Sequence, residues 1–86
     1  MKIAVWDTYV ERFDGKRMHF DILVHSTTAE DQVQTYGRQY LDSKPFTTKT
    51  LSSKECQFCH MEEGSDQLSE KIRQCGYAIV EMENCI

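Results

Sequence analysis

Two runs of alternating residues at the start of the chain constrain the fold most strongly. In residues 17–25 every second position carries an apolar side chain: Met18, Phe20, Ile22 and Val24. Residues 2–11 alternate in a similar way, and Phe13-Asp14-Gly15-Lys16 separates the two runs. Period-two alternation indicates strands with one buried face, and a short segment containing Asp-Gly indicates a tight turn between them. The sequence therefore predicts a β-hairpin.

The length of the hairpin loop decides which side chains share a face. A two-residue loop would place carboxylates on the apolar face, because a slip of one residue turns a whole strand over. We therefore predict a three-residue loop with Gly15 in the left-handed conformation. This register sets Asp7 opposite Asp21 and Tyr9 opposite His19. Two like charges directly opposite each other are unfavourable in a sheet.

The remaining elements follow from helical spacing and turn residues. A helix is predicted after Thr27-Thr28-Ala29-Glu30, which has the pattern of a capping box. Its apolar stripe contains Ala29, Val33, Tyr36, Gly37, Tyr40 and Leu41. A polar loop covers residues 46–53, a strand 57–63, a second helix begins at 64–66, and a last strand covers 77–83.

The order β-β-α-β-α-β predicts a two-layer α+β domain. We expect a four-stranded mixed sheet with both helices on one face, and a parallel crossover in the last strand–helix–strand unit. With 86 residues, the chain is expected to form a single domain over residues 1–86.

Composition excludes some classes of function. The formal net charge is −4 and the basic residues are scattered, which argues against nucleic-acid binding. No apolar stretch approaches the roughly 18 residues of a membrane span, and no signal peptide is evident. We therefore expect a cytoplasmic protein. Because thiols stay reduced there, its four cysteines are not expected to form a disulfide framework.

Segments along the chain resemble a known family. They are MKIAVWDTYV (1–10), GKRMHFDILV (15–24), YGRQYL (36–41), ECQFCH (55–60) and GYAIVEME (76–83). Together they resemble a small bacterial family described as a domain of unknown function, number two thousand and twenty-four. The resemblance covers essentially the whole chain and implies a compact bacterial α+β domain. It implies no activity, cofactor or catalytic residue.

Three potential metal-binding side chains occur within the five residues Cys56-Gln57-Phe58-Cys59-His60. Covalent haem attachment uses this pattern, but it normally requires export from the cytoplasm. A zinc or iron site is a second interpretation, in which Cys56, Cys59 and Cys75 are joined by His60 or Cys85. Thiol redox chemistry is a third, and it would need a helix N-terminus that lowers the pKa of the first cysteine.

Local geometry distinguishes these interpretations from buried cysteines without a function. In a regular strand Cys56 and Cys59 point to opposite faces, and Cys56 and His60 are about 13 Å apart. In a turn or short helix all three share one side. The predicted strand favours cysteines that are simply buried.

A second candidate site comprises Asp7, Tyr9, His19 and Asp21 on the polar face of the hairpin. Two carboxylates beside an imidazole can bind a divalent cation or act as acid and base. The alternative is an ordinary set of solvated strand charges.

The sequence contains no Gly-rich phosphate loop, nucleophile elbow or complete catalytic set. It therefore favours a non-catalytic interaction or assembly module that uses its sheet edge or hairpin face, as a homodimer or with a protein partner. The alternative is a metal-binding or thiol-redox protein that uses Cys56, Cys59 and His60.

Overall fold

A computed structural model describes residues 1–86. It confirms the α+β class and the order β-β-α-β-α-β. The elements are β1 Lys2–Glu11, β2 Arg17–His25, α1 Glu30–Asp42, β3 Cys56–Glu63, α2 Asp66–Cys75 and β4 Tyr77–Glu83. No helix is long and apolar enough to cross a membrane.

The hairpin has the predicted register. Asp7 pairs with Asp21 and Tyr9 pairs with His19 across the two strands. The backbone N–H of Arg12 donates to the carbonyl of Lys16 over 2.8 Å. This bond closes a loop of three residues, 13–15. Gly15 has a φ of +89°, the left-handed conformation that this loop requires.

The prediction of a mixed sheet with a parallel crossover is wrong. The strand order is β3-β1-β2-β4, and every neighbouring pair is antiparallel. The hairpin occupies the centre of the sheet, and each later strand takes one of its two free edges. Because β3 and β4 lie at opposite edges, α2 crosses the face of the sheet between strands that are not neighbours.

The prediction that both helices lie on one face is also wrong. Helix α1 packs Val33 and Leu41 on the face formed by Met18, Phe20, Ile22 and Val24. Helix α2 packs Leu68 and Ile72 on the opposite face, against Ile3, Val5 and Leu23. At the end of the hairpin away from its loop, both faces of β1 and β2 carry apolar side chains. Each face must therefore be shielded from water by a helix. The helices therefore enclose the sheet between them.

The helix ends differ in their chemistry. The capping box predicted for α1 does not form, because Ala29 is the N-cap and the hydroxyl of Thr27 contacts His25 Nδ1 at 2.7 Å. Helix α2 has a true N-cap, where Ser65 Oγ accepts a hydrogen bond from the N–H of Leu68 over 3.1 Å. It ends at Gly76, which has a φ of +88°.

Gly37 permits the close approach of α1 that the sequence predicts. A Cβ atom at this position would lie 2.8 Å from Leu51 Cδ1 and 2.9 Å from Ile22 Cδ1. The helix can therefore sit directly on β2 and on the loop that follows α1, and this contact completes the larger core.

Candidate functional site

Half of one sheet face is left uncovered by α2. The helix covers Ile3, Val5 and Leu23, and it leaves open the next side chains along β1 and β2 on the same face. These side chains include the four that we call the polar cluster: Asp7, Tyr9, His19 and Asp21. They alternate with core residues on both strands, so the backbone of the central hairpin holds them in place.

Three members of the polar cluster converge to the distances of a metal site. One ligand atom from each of Asp7, His19 and Asp21 can be chosen so that all lie within 4.8 Å of one another. Nε2 of His19 lies 2.6 Å from Oδ1 of Asp7. All three side chains are half-buried. This is the single group of three or more His, Cys, Asp or Glu residues in the structure with such spacing.

The imidazole of His19 is held by a stack of aromatic and cationic groups. The ring of Tyr9 lies parallel to it, with centroids 4.1 Å apart and an angle of 11° between the planes. The guanidinium of Arg17 covers the Tyr9 ring at 4.4 Å from its centroid. This stack restricts the rotation of the imidazole, as supporting groups do around metal ligands.

The third member, Asp21, has a perturbed pKa. Burial raises the pKa of Asp21, and the facing carboxylate of Asp7 raises it further. His19 and His60 act in the opposite direction but more weakly. The ionised form of Asp21 is therefore less stable here than in water, and a nearby cation would favour it.

The Cys56–His60 segment is part of a strand, as predicted, but it contains a bulge that the sequence did not predict. Pairing with β1 is regular except between Val5 and Trp6, where Cys59 has no partner. Cys59 and His60 are exposed, and His60 Nδ1 lies 3.2 Å from Cys59 Sγ. This pair is the one local contact among the predicted metal ligands of this segment.

The other predicted cysteine ligands lie elsewhere. Cys56 is the first residue of β3 and pairs with Thr8; its side chain is buried in the core that α1 covers, and burial raises the pKa of its thiol. Cys75 is exposed at the end of α2. The structure therefore does not bring Cys56, Cys59, His60 and Cys75 together as one group of ligands. Cys85, the alternative fourth ligand, is buried.

Comparison with known proteins agrees with the architecture. A family model described as "Domain of unknown function (DUF2024)" matches residues 1–82. The chain belongs to the DUF2024 family. Protein NE1680 from Nitrosomonas europaea, solved by NMR, is 38% identical over the full length of both chains, with a TM-score of 0.81. No curated protein matches the chain.

In this DUF2024 chain, sequence reasoning missed one part of the surface beside the polar cluster. The loop after α1 runs alongside β1, and its residues Lys49, Lys54 and Glu55 form one wall of a cleft that reaches Asp7. The sequence predicts a polar loop over 46–53, which includes Lys49, and assigns Lys54 and Glu55 to no site. No local signal could have found the wall, because it depends on the contact between the loop and β1.

Proposed function

We propose that this domain binds a divalent transition-metal cation through Asp7, His19 and Asp21. The observation that carries the proposal is the convergence of their three ligand atoms within 4.8 Å on the central hairpin. Imidazole and carboxylate are ordinary ligands of zinc, iron and manganese. Three protein ligands leave coordination positions free for water or for a bound molecule.

The repulsion between two facing carboxylates when no cation is bound also supports the proposal. Asp7 and Asp21 are directly opposed on neighbouring strands. Like charges in this position destabilise a sheet, and unfavourable local arrangements concentrate at functional sites. A cation between the carboxylates would reverse the sign of this interaction. In its absence the nearest partner of Asp7 is the imidazole of His19, whose Nε2 lies 2.6 Å from Oδ1.

The experiment must separate the polar cluster from the exposed thiols, which also bind zinc. We would therefore replace Cys59 and Cys75 by serine and titrate zinc by calorimetry. One equivalent should bind, and Asp21→Asn should weaken binding at least tenfold. Glu11→Gln is the matched control, because Glu11 lies on the same sheet face and belongs to no ligand group.

The opposite pattern would reject the polar cluster as the site. In that pattern, zinc binds only when Cys59 and Cys75 are present, with an affinity that Asp21→Asn does not change. That result would support ligands among Cys56, Cys59, His60 and Cys75. No binding in any background would reject both sets of ligands.

A second candidate function is the non-catalytic assembly module, acting through the β3 edge. The bulge at Cys59 puts Phe58 and Met61 on the same face, although they are three residues apart. They are 48% and 43% exposed. If β3 paired with β3 of a second copy about a centre between Cys59 and His60, Phe58 of each copy would face Met61 of the other. Such self-complementarity is what a twofold interface requires.

The structure also contains features that oppose edge pairing. Both edge strands have an irregular register, near Cys59 in β3 and near Met82 in β4, and each carries two glutamates. Bulges and charges are the usual means of blunting an edge. For this reason we rank assembly second.

Sedimentation equilibrium of the metal-free protein tests the assembly candidate. A dimer that Phe58→Ser dissociates, and that the neighbouring exposed substitution Gln57→Ser leaves intact, would support it. A monomer at all concentrations would reject it.

A further inference from the structure

A polar cleft of about 390 Å³ lies beside the polar cluster on the same side of the sheet. Its floor includes Asp7 and Tyr9, and its wall is formed by loop residues between 49 and 55. Asp7 belongs both to the cleft and to the proposed metal site. A molecule in the cleft could therefore reach a cation held by the cluster.

The wall of the cleft is fixed by hydrogen bonds at both of its ends. The backbone N–H of Lys49 donates to the Glu11 carbonyl over 2.9 Å, and that of Tyr9 donates to the Glu55 carbonyl over 2.9 Å. Between these anchors, Glu55 Oε1 accepts hydrogen bonds from the N–H and the hydroxyl of Ser52. The loop is thus attached to β1 at both ends and braced internally by Ser52 and Glu55, so the cleft exists before any ligand arrives.

The charges in the cleft are unevenly paired. The carboxylates have partners: Asp7 contacts His19, Glu55 contacts Ser52, and Glu11 lies 3.8 Å from Arg17. The side chains of Lys49 and Lys54 line the same cleft, and neither has a carboxylate oxygen within 4.0 Å. After the hydrogen bonds from Ser52, the charge of Lys54 also lowers the pKa of Glu55. Neither ammonium group is held in an ion pair, so both can contact an anion from outside the chain.

We propose that the cleft binds a small polar molecule that carries a phosphate group. Lys49 and Lys54 would contact the phosphate, and one of its oxygens would reach the cation on Asp7, His19 and Asp21. This inference rests on the proposed metal-binding function. Tyr9 is the single hydrophobic residue in the lining, which disfavours an apolar ligand. A phosphate offers enough oxygens to bridge two ammonium groups and a metal at once.

Ribose 5-phosphate is the probe that we would use, with ribose as the uncharged control. Amide chemical shifts of the ¹⁵N-labelled chain report binding, with and without one equivalent of zinc, in the Cys59→Ser, Cys75→Ser background. The amides of residues 49–55 should shift saturably with ribose 5-phosphate and not with ribose. Zinc should tighten the binding at least threefold.

The double variant Lys49→Gln, Lys54→Gln should bind the phosphate at least tenfold more weakly and keep its zinc affinity. Lys71→Gln is the matched control, since Lys71 is an exposed lysine on α2 outside this cleft. A normal melting curve of the double variant would show that the fold is retained. The proposal is overturned if the shifts do not saturate, if ribose gives the same shifts, or if the double variant binds equally well.

Retained zinc affinity with no phosphate binding would reject this inference alone. Loss of zinc binding by Asp21→Asn with phosphate binding unchanged by zinc would support the metal site and reject the bridge between metal and phosphate. No zinc binding would reject the proposed function and, with it, the bridged geometry.

Discussion

The side chains of Asp7 and His19 meet across the central hairpin, where imidazole Nε2 lies 2.6 Å from carboxylate Oδ1. The contact joins two strands through side chains on the open half of the sheet face. Asp21 lies directly opposite Asp7 and completes the group. Removing the charge of one carboxylate should therefore raise the stability of the metal-free protein and weaken cation binding.

Asp21→Asn should stabilise the metal-free protein. The pKa of Asp21 is raised in the folded state, so the folded protein holds this proton more tightly than the unfolded chain does. Stability due to Asp21 therefore falls as pH rises above about 4, its ordinary pKa. We expect a gain of about 0.5 kcal/mol at pH 7 from removing the opposed charge, or about 2–4 °C in melting temperature.

Thermal unfolding in the presence of a chelator, at several pH values, measures this effect. The advantage of Asp21→Asn should shrink as the pH falls through about 4 and disappear at lower pH, where Asp21 is protonated in both states. Asp7→Asn is the comparison, because it removes the same repulsion but also the charged partner of His19. Its gain should be smaller. A lower melting temperature for Asp21→Asn at pH 7 would contradict this interpretation of the pair.

The four cysteines should separate into two classes of reactivity. Cys59 and Cys75 are exposed, whereas Cys56 and Cys85 are buried. Burial also raises the pKa of the Cys56 thiol, which lowers the fraction of reactive thiolate. A chromogenic disulfide reagent should titrate two thiols in the native protein and four in denaturant. Rapid reaction of all four thiols in the native protein would show that the buried pair is accessible.

Two glycines with the same backbone conformation should differ in their tolerance of alanine. Gly15 and Gly76 have φ values of +89° and +88°. A Cβ atom at Gly15 meets nothing within 4 Å, whereas one at Gly76 collides with the hydroxyl end of Tyr36. Gly15→Ala should cost about 1 kcal/mol from the left-handed conformation alone.

Gly76→Ala should cost about 1 kcal/mol or more beyond that, because Tyr36 must move and its ring stacks on Tyr77 with centroids 4.7 Å apart. Denaturant unfolding of the two variants measures the difference. Equal losses would mean that Tyr36 moves without cost.

The parts of this structure that could be predicted from sequence depend on short-range rules. The hairpin register follows from alternation and from one left-handed glycine, and Asp7, His19 and Asp21 come together through that register alone. The stop of α2 at Gly76 is equally local. For these features the residues that decide the geometry are close in the sequence.

The features that sequence reasoning missed depend on long-range contacts. Ile3, Val5 and Leu23 are buried under α2. Because polar side chains follow them on the same face, the alternation indicated a solvent-exposed face and did not predict a second buried surface. The bulge at Cys59 arises from pairing with β1 and leaves no local signal. The position of Cys75 depends on which face α2 covers, so its distance from Cys56 could not be inferred from their spacing.

The measurement that tests the metal site most directly is the NMR spectrum of the imidazole nitrogens during a zinc titration. The chain contains three histidines, His19, His25 and His60, so each ring can be followed separately. In the Cys59→Ser, Cys75→Ser background, the His19 nitrogens should shift to saturation at one equivalent of zinc, and His25 should stay unchanged. Asp21→Asn should weaken that response at least tenfold. If the His19 ring is unaffected at saturating zinc, the polar cluster is not a metal site and the central claim fails.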